Sequence, residues 1–184
     1  MADPAVPECL EEVQNLSKHL GLVRNKPGET LWQISVETEE YKVLPVTPQK
    51  TDGESKTLSA LSGIYGVLVG SEFVSWFHVK ESANIFIWHR GASTVLIDEE
   101  GKHSVHQLGD PLENPEAKYL IKLSGSSWHA VELKNKTGFA VYNCMTAPGF
   151  SWEKLETPTT EEMLAKFPAL EDTIRAFPRK ASEV

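Results

Sequence analysis

The hydrophobic period of the chain changes twice between its ends. Over residues 8–21, Leu10, Val13, Leu16 and Leu20 recur at helical spacing, with Glu11, Glu12 and Lys18 between them. That spacing predicts an amphipathic N-terminal helix, ended by Gly21. Residues 25–29 read as a turn, 30–36 as an extended run, and 44–57, with Pro45, Pro48 and Gly53, as an exposed loop. From 58 to 146 short β-rich runs take over, at 58–69, 72–79, 84–90, 93–98, 103–108, 117–123, 128–134 and 138–146. The breaks carry turn chemistry: a hairpin at 99–102 with Gly101 at positive φ, a tight turn at 124–127, another at 135–138. Closely spaced strands with no room for a βαβ crossover predict an all-β sandwich or barrel over 30–150. After Pro148, Gly149 and Phe150, Thr159 and Glu162 form a capping box for a helix through Lys166. Pro168 starts a second short helix, so that C-terminal helices occupy 159–178.

Composition narrows the partners. The 184 residues suit one domain spanning 1–184, and 40% hydrophobic with 24% charged residues is a globular balance. Eighteen Lys and Arg against 26 Asp and Glu give a net charge of −8, which repels phosphate backbones and anionic headgroups. Nucleic acid and membrane are therefore not expected as partners. No apolar run reaches the ~18 residues that cross a bilayer. The start carries no basic and apolar leader, so a cytoplasmic location is the expectation. Cys9 and Cys144 lie far apart and read as two thiols in a reducing compartment.

The chemistry concentrates between Ser75 and Gly91. Strand alternation puts His78 and Lys80 on one face, and Asn84, Phe86 and Trp88 on one face of the next strand. A hairpin between these strands predicts that His78 and Asn84 meet at one end of the barrel. A later hairpin, from Leu120 to Glu132, sets Trp128 and His129 just after its turn. The expectation is that His78 and His129 converge inside one β cavity.

These residues carry a resemblance to the cupins, whose first motif supplies two His and a Glu followed by a Gly. The second cupin motif supplies a further His after Pro-x-Gly. Here His78 stands at the first His, Asn84 lies seven residues before Gly91 as the Glu does, and His129 follows Ser124, Gly125 and Ser126. The chain more closely resembles the cupin family catalogued as domain of unknown function 985, over roughly residues 10–178. It keeps His78, Ser82 and Gly91 of H-R-x-x-S-D-E-x-W-x-x-x-x-G. It has Trp128-His129-Ala130 for W-Q-A, and Cys144 to Phe150 for C-x-V-A-P-G-F. It departs at Val79 for Arg, Ala83-Asn84 for Asp-Glu, Phe86 for Trp, and at 25–29 for H-P-E-G-G. The resemblance implies a double-stranded β-helix, the cupin jelly-roll barrel, holding a small-molecule ligand or substrate. It also implies a homodimer.

Two imidazoles and an amide oxygen do not fill a site of three or four ligands, so no cofactor is expected; a divalent metal on His78 and His129 is the alternative. Acid–base work needs less: His78 and His129, with Tyr65 as an acid on a neighbouring strand, against a plain wall-aromatic role for Tyr65. Asn84, Phe86, Trp88, Trp128, Lys80 and Trp76 are the expected ligand contacts. His89 should lie on the outer face, His103 and His106 in solvent, and Cys144 in an inert apolar strand. The first reading is a non-oxidative isomerase, epimerase or cyclase. It would act on a small, fairly apolar or carbonyl- and hydroxyl-bearing substrate through His78 and His129. A non-catalytic ligand-binding cupin is the second reading, and a metal-dependent dioxygenase or lyase the third.

Overall fold

The computed structural model of the protein describes residues 6–24, 32–36, 59–92, 94–99 and 102–179. The turns assigned to 25–29 and to Gly101, and the loop at 44–57, fall outside them. Helix α1 (Val6–Leu20) is followed by β1 (Val23–Arg24), β2 (Trp32–Val36), β3 (Ser62–Val69) and β4 (Phe73–Val79). Next come β5 (Ala83–Gly91), β6 (Thr94–Glu99), β7 (His103–Leu108), β8 (Ala117–Lys118) and β9 (Leu120–Leu123). The chain ends with β10 (Trp128–Leu133), β11 (Phe139–Ala147), β12 (Leu155–Glu156), α2 (Thr160–Lys166) and α3 (Glu171–Ala176). The capping box at Thr159 and Glu162 forms in full.

The described strands form two six-stranded sheets that face each other, one ordered β1-β2-β3-β11-β5-β9 and the other β12-β4-β10-β6-β7-β8. This is the all-β jelly roll with short helices. Its order corrects one expectation, because β4 and β5 are not a hairpin. They lie in opposite sheets, and so do β9 and β10. The turn at 80–82, with Glu81 at φ 58°, carries the chain across the gap. β6 and β7 do pair as a hairpin, from Thr94↔Leu108 to Glu99↔His103.

Among the described residues, three apolar clusters hold the sheets and their covers together. Between the sheets lie Leu68, Phe86, Leu108, Ile121, Leu123, Val131, Leu133, Ala140, Tyr142 and Cys144. Outside the first sheet, Val13 and Leu22 pack on Val67, Phe139 and Val141, with Leu16 and Tyr65 beside them. Outside the second, Met163 and Ile174 of the C-terminal helices, with Phe177 just after α3, cover Trp76, Ile97, Trp128 and Ala130. Each large side chain so enclosed contributes about 1.5–3 kcal/mol. The C-terminal cover is also tied by hydrogen bonds. Ser75 Oγ donates to the Phe177 carbonyl at 2.7 Å, and the Arg179 amide donates to Thr160 Oγ1 at 2.9 Å.

A bulge in β4 sets which of its side chains enter the barrel. Phe77 is opposite His129 and Val74 is opposite Val131, so Ser75 and Trp76 together face Ala130. Val74 and Phe77 thus both point between the sheets, whereas Phe73 and Trp76 point to the C-terminal helices.

On the inner face of the first sheet, the Tyr142 ring lies against its register partner Gly66. A Cβ at Gly66 would sit 2.6 Å from Tyr142 Cζ. Gly66→Ala therefore forces the buried phenol to move, and the expected cost is about 1–3 kcal/mol of folding stability, read as a lower denaturant midpoint. An unchanged midpoint would show that Tyr142 has room to shift.

Candidate functional site

The two crossings between sheets meet at one end of the barrel. The turn from β4 to β5 packs on the 124–127 turn from β9 to β10 so closely that a Cβ at Gly125 would meet the Ser82 amide nitrogen at 3.0 Å. Across the first sheet, Asn84 is in register with Leu123 on one side and Thr146 on the other. Thr146 Oγ1 is 3.0 Å from Ser62 Oγ, which accepts from the Phe150 amide at 2.6 Å. The Cys144–Phe150 motif thus closes this end: it brings Thr146 inside and docks its Gly149 amide on the Ser59 carbonyl at 2.7 Å.

Alternation along the strands decides which side chains enter. On β5, Phe86 lies in the interior cluster and Trp88 packs against it; Asn84, two residues before Phe86, shares their face and is fully buried. On β10, His129 is fully buried, its ring edge-on to Phe77 at 3.9 Å and to Phe86 at 5.5 Å. The result is a polar end to an otherwise apolar interior, made of Ser62, Ser82, Asn84, Ser127, His129 and Thr146, none of them a carboxylate or a lysine.

The hydrogen bonds at this end fix which atoms remain free. Asn84 Nδ2 donates to the Ser82 carbonyl at 3.2 Å, so its Oδ1 is turned away. His129 Nδ1 is 3.3 Å from the Ser127 carbonyl. A carbonyl oxygen only accepts, so the ring proton is assigned to Nδ1 and Nε2 is a bare lone pair. Asn84 Oδ1, His129 Nε2, Ser82 Oγ and Ser127 Oγ are all buried and without a partner. An unmet buried polar atom costs about 1–3 kcal/mol, which makes four at one end a feature that demands an explanation. Burial pushes the His129 imidazole down to about 3, against the Ser127 hydrogen bond and with a further lowering from His78. The ring is neutral at pH 7 and serves as an acceptor. Trp88 Nε1, also buried and unpartnered, lies four residues further along β5, roughly 13 Å away at strand rise.

The expected convergence of His78 with His129 does not occur. With Phe77 and His129 inward, alternation turns their neighbours His78 and Trp128 outward, and these two rings pack at 4.9 Å on the outer face. His78 Nε2 is 2.8 Å from the Gly125 carbonyl and Nδ1 is 3.2 Å from Glu156 Oε2. Lys80 stays half-exposed and pairs with the same carboxylate, so it does not face inward. Burial alone would raise the Glu156 carboxyl; hydrogen bonds from Lys80 and His78 outweigh it and hold the group below its ordinary value. Trp76 and Trp128 lie under the C-terminal helices, with Lys166 Nζ 4.3 Å over the Trp128 ring. Tyr65 packs beside α1 on the outer face of the first sheet, 5.6 Å from the exposed His89 ring. Of the nominated residues, Asn84, Phe86, Trp88 and His129 share the interior, and Tyr65, Trp76, His78, Lys80 and Trp128 do not.

A divalent cation does not fit this donor set. Among the described residues at this end, His129 Nε2 is the strong ligand and Asn84 adds a neutral amide oxygen. The Cys144 thiol lies inward beyond Asn84's neighbour Thr146 with its proton held by burial, and the His78 nitrogens are engaged outside. Among the described residues no three His, Cys, Asp or Glu side chains gather as a metal site would require. A cavity of about 240 Å³ lies elsewhere, lined by Val105, His106, Gln107, Glu116, Lys118 and Ile121, and includes none of the nominated residues. Cys144 faces the interior, where burial pushes its thiol up to about 12, so it is inert. Two residues escaped sequence reasoning. Tyr142 sits inside where Tyr65 was expected, a matter of one register step on paired strands. Glu156 lies on a two-residue strand too short to leave a periodic signal.

Residues 16–157 match the model of a family described as cupin superfamily, domain of unknown function 985. Among solved structures, the chain is similar to a Shewanella oneidensis protein at TM-score 0.70 and 20% identity, over 90% of this chain and 96% of that one. A Leishmania major protein aligns at TM-score 0.72 and 17% identity, over 91% and 98%. A cupin-2 domain from Rhodospirillum rubrum aligns at TM-score 0.53 and 14% identity, over 85% of each. Among curated proteins the sequence has no significant match. No helix among the described residues is long and apolar enough to cross a membrane.

The lowered His129 value carries a pH dependence with a definite sign. The unfolded chain takes up a proton near the ordinary 6.5, and the folded protein only near 3. This contribution is complete above pH 6.5 and is lost as pH falls towards 3, at up to about 1.4 kcal/mol per pH unit. Denaturant midpoints of the parent and of His129→Gln, compared between pH 7 and 4, should show a shallower decline in the variant. Parallel curves would mean that the ring titrates alike folded and unfolded.

Proposed function

The chain belongs to the cupin superfamily, in the family of domain of unknown function 985, and from that premise we propose that it is a binding protein for a small neutral molecule. The molecule is seated at the polar end of the barrel, against Ser82, Asn84, Ser127 and His129. The supporting observation is the set of four buried, unpartnered side-chain atoms on those residues. A ligand that satisfies them recovers the cost of leaving them bare. Neutrality comes from the surroundings: no inward residue among those described offers a counter-ion at this end, and an unpaired charge is expensive to bury.

An isomerase or epimerase reading retains one supporting observation, the bare Nε2 of His129. Against it stand the low basicity of that nitrogen and the placement of His78 and Tyr65 outside the interior. Proton abstraction is efficient when the base titrates near the working pH. A dioxygenase or lyase reading needs a metal site that the inward donors among the described residues do not complete.

Binding and turnover separate in one experiment. The protein is incubated with a small-molecule cell extract in D2O, recovered, and the retained compound is released and weighed. Stoichiometric retention with no deuterium at carbon is expected, with retention reduced on the order of tenfold in Asn84→Leu and in His129→Leu. Deuterium at carbon would favour proton-transfer catalysis, and equal retention by both variants would remove this end as the site.

A further inference from the structure

We propose that the molecule bound at this end presents a pair of hydrogen-bond donors, adjacent hydroxyls or amide N–H groups, one to Asn84 Oδ1 and the other to His129 Nε2. This deepens the binding reading above and rests on it. Donor and acceptor polarity decides the match. Each of the two side chains donates to a backbone carbonyl, Asn84 with one of its two Nδ2 hydrogens to Ser82 and His129 with its Nδ1 hydrogen to Ser127. The unpartnered atoms themselves, Asn84 Oδ1 and His129 Nε2, are acceptors that carry no hydrogen, and both are buried. A ligand carboxylate or phosphate would set lone pair against lone pair at both positions. A molecule whose only polar atoms are ether or carbonyl oxygens meets the same repulsion.

The serine hydroxyls do not soften this choice. Ser82 Oγ and Ser127 Oγ can each rotate to donate or accept, so they adapt to whatever arrives. Asn84 and His129 cannot exchange roles, because turning either side chain over would leave its carbonyl partner unserved and face nitrogen to an atom that cannot donate. Selectivity therefore resides in these two. Burial that lowers the His129 ring to about 3 preserves the polarity throughout the neutral range, since the second proton that would make Nε2 a donor is not taken up. The flanking surfaces are aromatic, with Phe77 and Phe86 edge-on to the His129 ring. A flat apolar body carrying its donors on one edge matches them.

Three probes of similar shape isolate the claim: catechol with two adjacent hydroxyls, 1,2-difluorobenzene with none, and benzoate with an anionic acceptor pair. Calorimetric titration into the intact protein should find catechol at least about tenfold tighter than 1,2-difluorobenzene, with benzoate weakest. The catechol advantage should disappear in His129→Leu. If 1,2-difluorobenzene or benzoate equals or exceeds catechol, the donor rule is wrong while the binding reading stands. If none of the three binds up to its solubility, both the donor rule and the binding reading fall.

Discussion

Adjacent residues on a pleated strand go to opposite faces, and at Phe77–His78 and Trp128–His129 that constraint decides which rings meet the interior. Phe77 and His129 are opposite each other in register, so they turn inward together and their neighbours turn outward together. The remaining features of the barrel end stem from this choice. His129 loses water and becomes a neutral acceptor, His78 becomes an outer strut between Glu156 and the 124–127 turn, and the donor set loses the second imidazole that a metal would need.

The same constraint links the outer and inner faces mechanically. His78 holds the Gly125 carbonyl from outside, and the turn that contains Gly125 continues into Ser127 and His129 inside. The C-terminal segment supplies Glu156 through β12, paired with β4 at His78. The covers beyond the sheets are thus not passive: they position the turn whose backbone carbonyl sets the His129 tautomer.

Much of the architecture was legible in the sequence because period-2 runs and turn residues report local structure directly. The strands at 72–79, 103–108 and 128–134 lie within a residue or so of β4, β7 and β10, and the capping box at Thr159 is a local signature that forms as its spacing predicts. Sheet membership was not legible. Whether a strand pairs with its sequence neighbour or crosses to the opposite sheet depends on long-range packing, and here the turns at 80–82 and 124–127 cross. The side of the sheet that each imidazole takes was hidden for a related reason. The bulge at Ser75 and Trp76 leaves no compositional mark, and the apolar claim of Phe77 on the interior competes with the motif position of His78. The replacement of the family's Asp-Glu by Ala83-Asn84 was readable at once, and its meaning emerged with the fold: the interior end holds neutral polar atoms, with the missing carboxylate not restored by any described inward residue.

The protonation of one ring sets the polarity of the whole barrel end. A nitrogen-15 correlation spectrum of the protein with labelled histidine, recorded at pH 7, reads the two ring nitrogens of His129 separately. The structure predicts a hydrogen on Nδ1 and a bare Nε2. A hydrogen on Nε2, alone or together with one on Nδ1, would contradict it, because the interior would then present a donor where ligand recognition needs a lone pair.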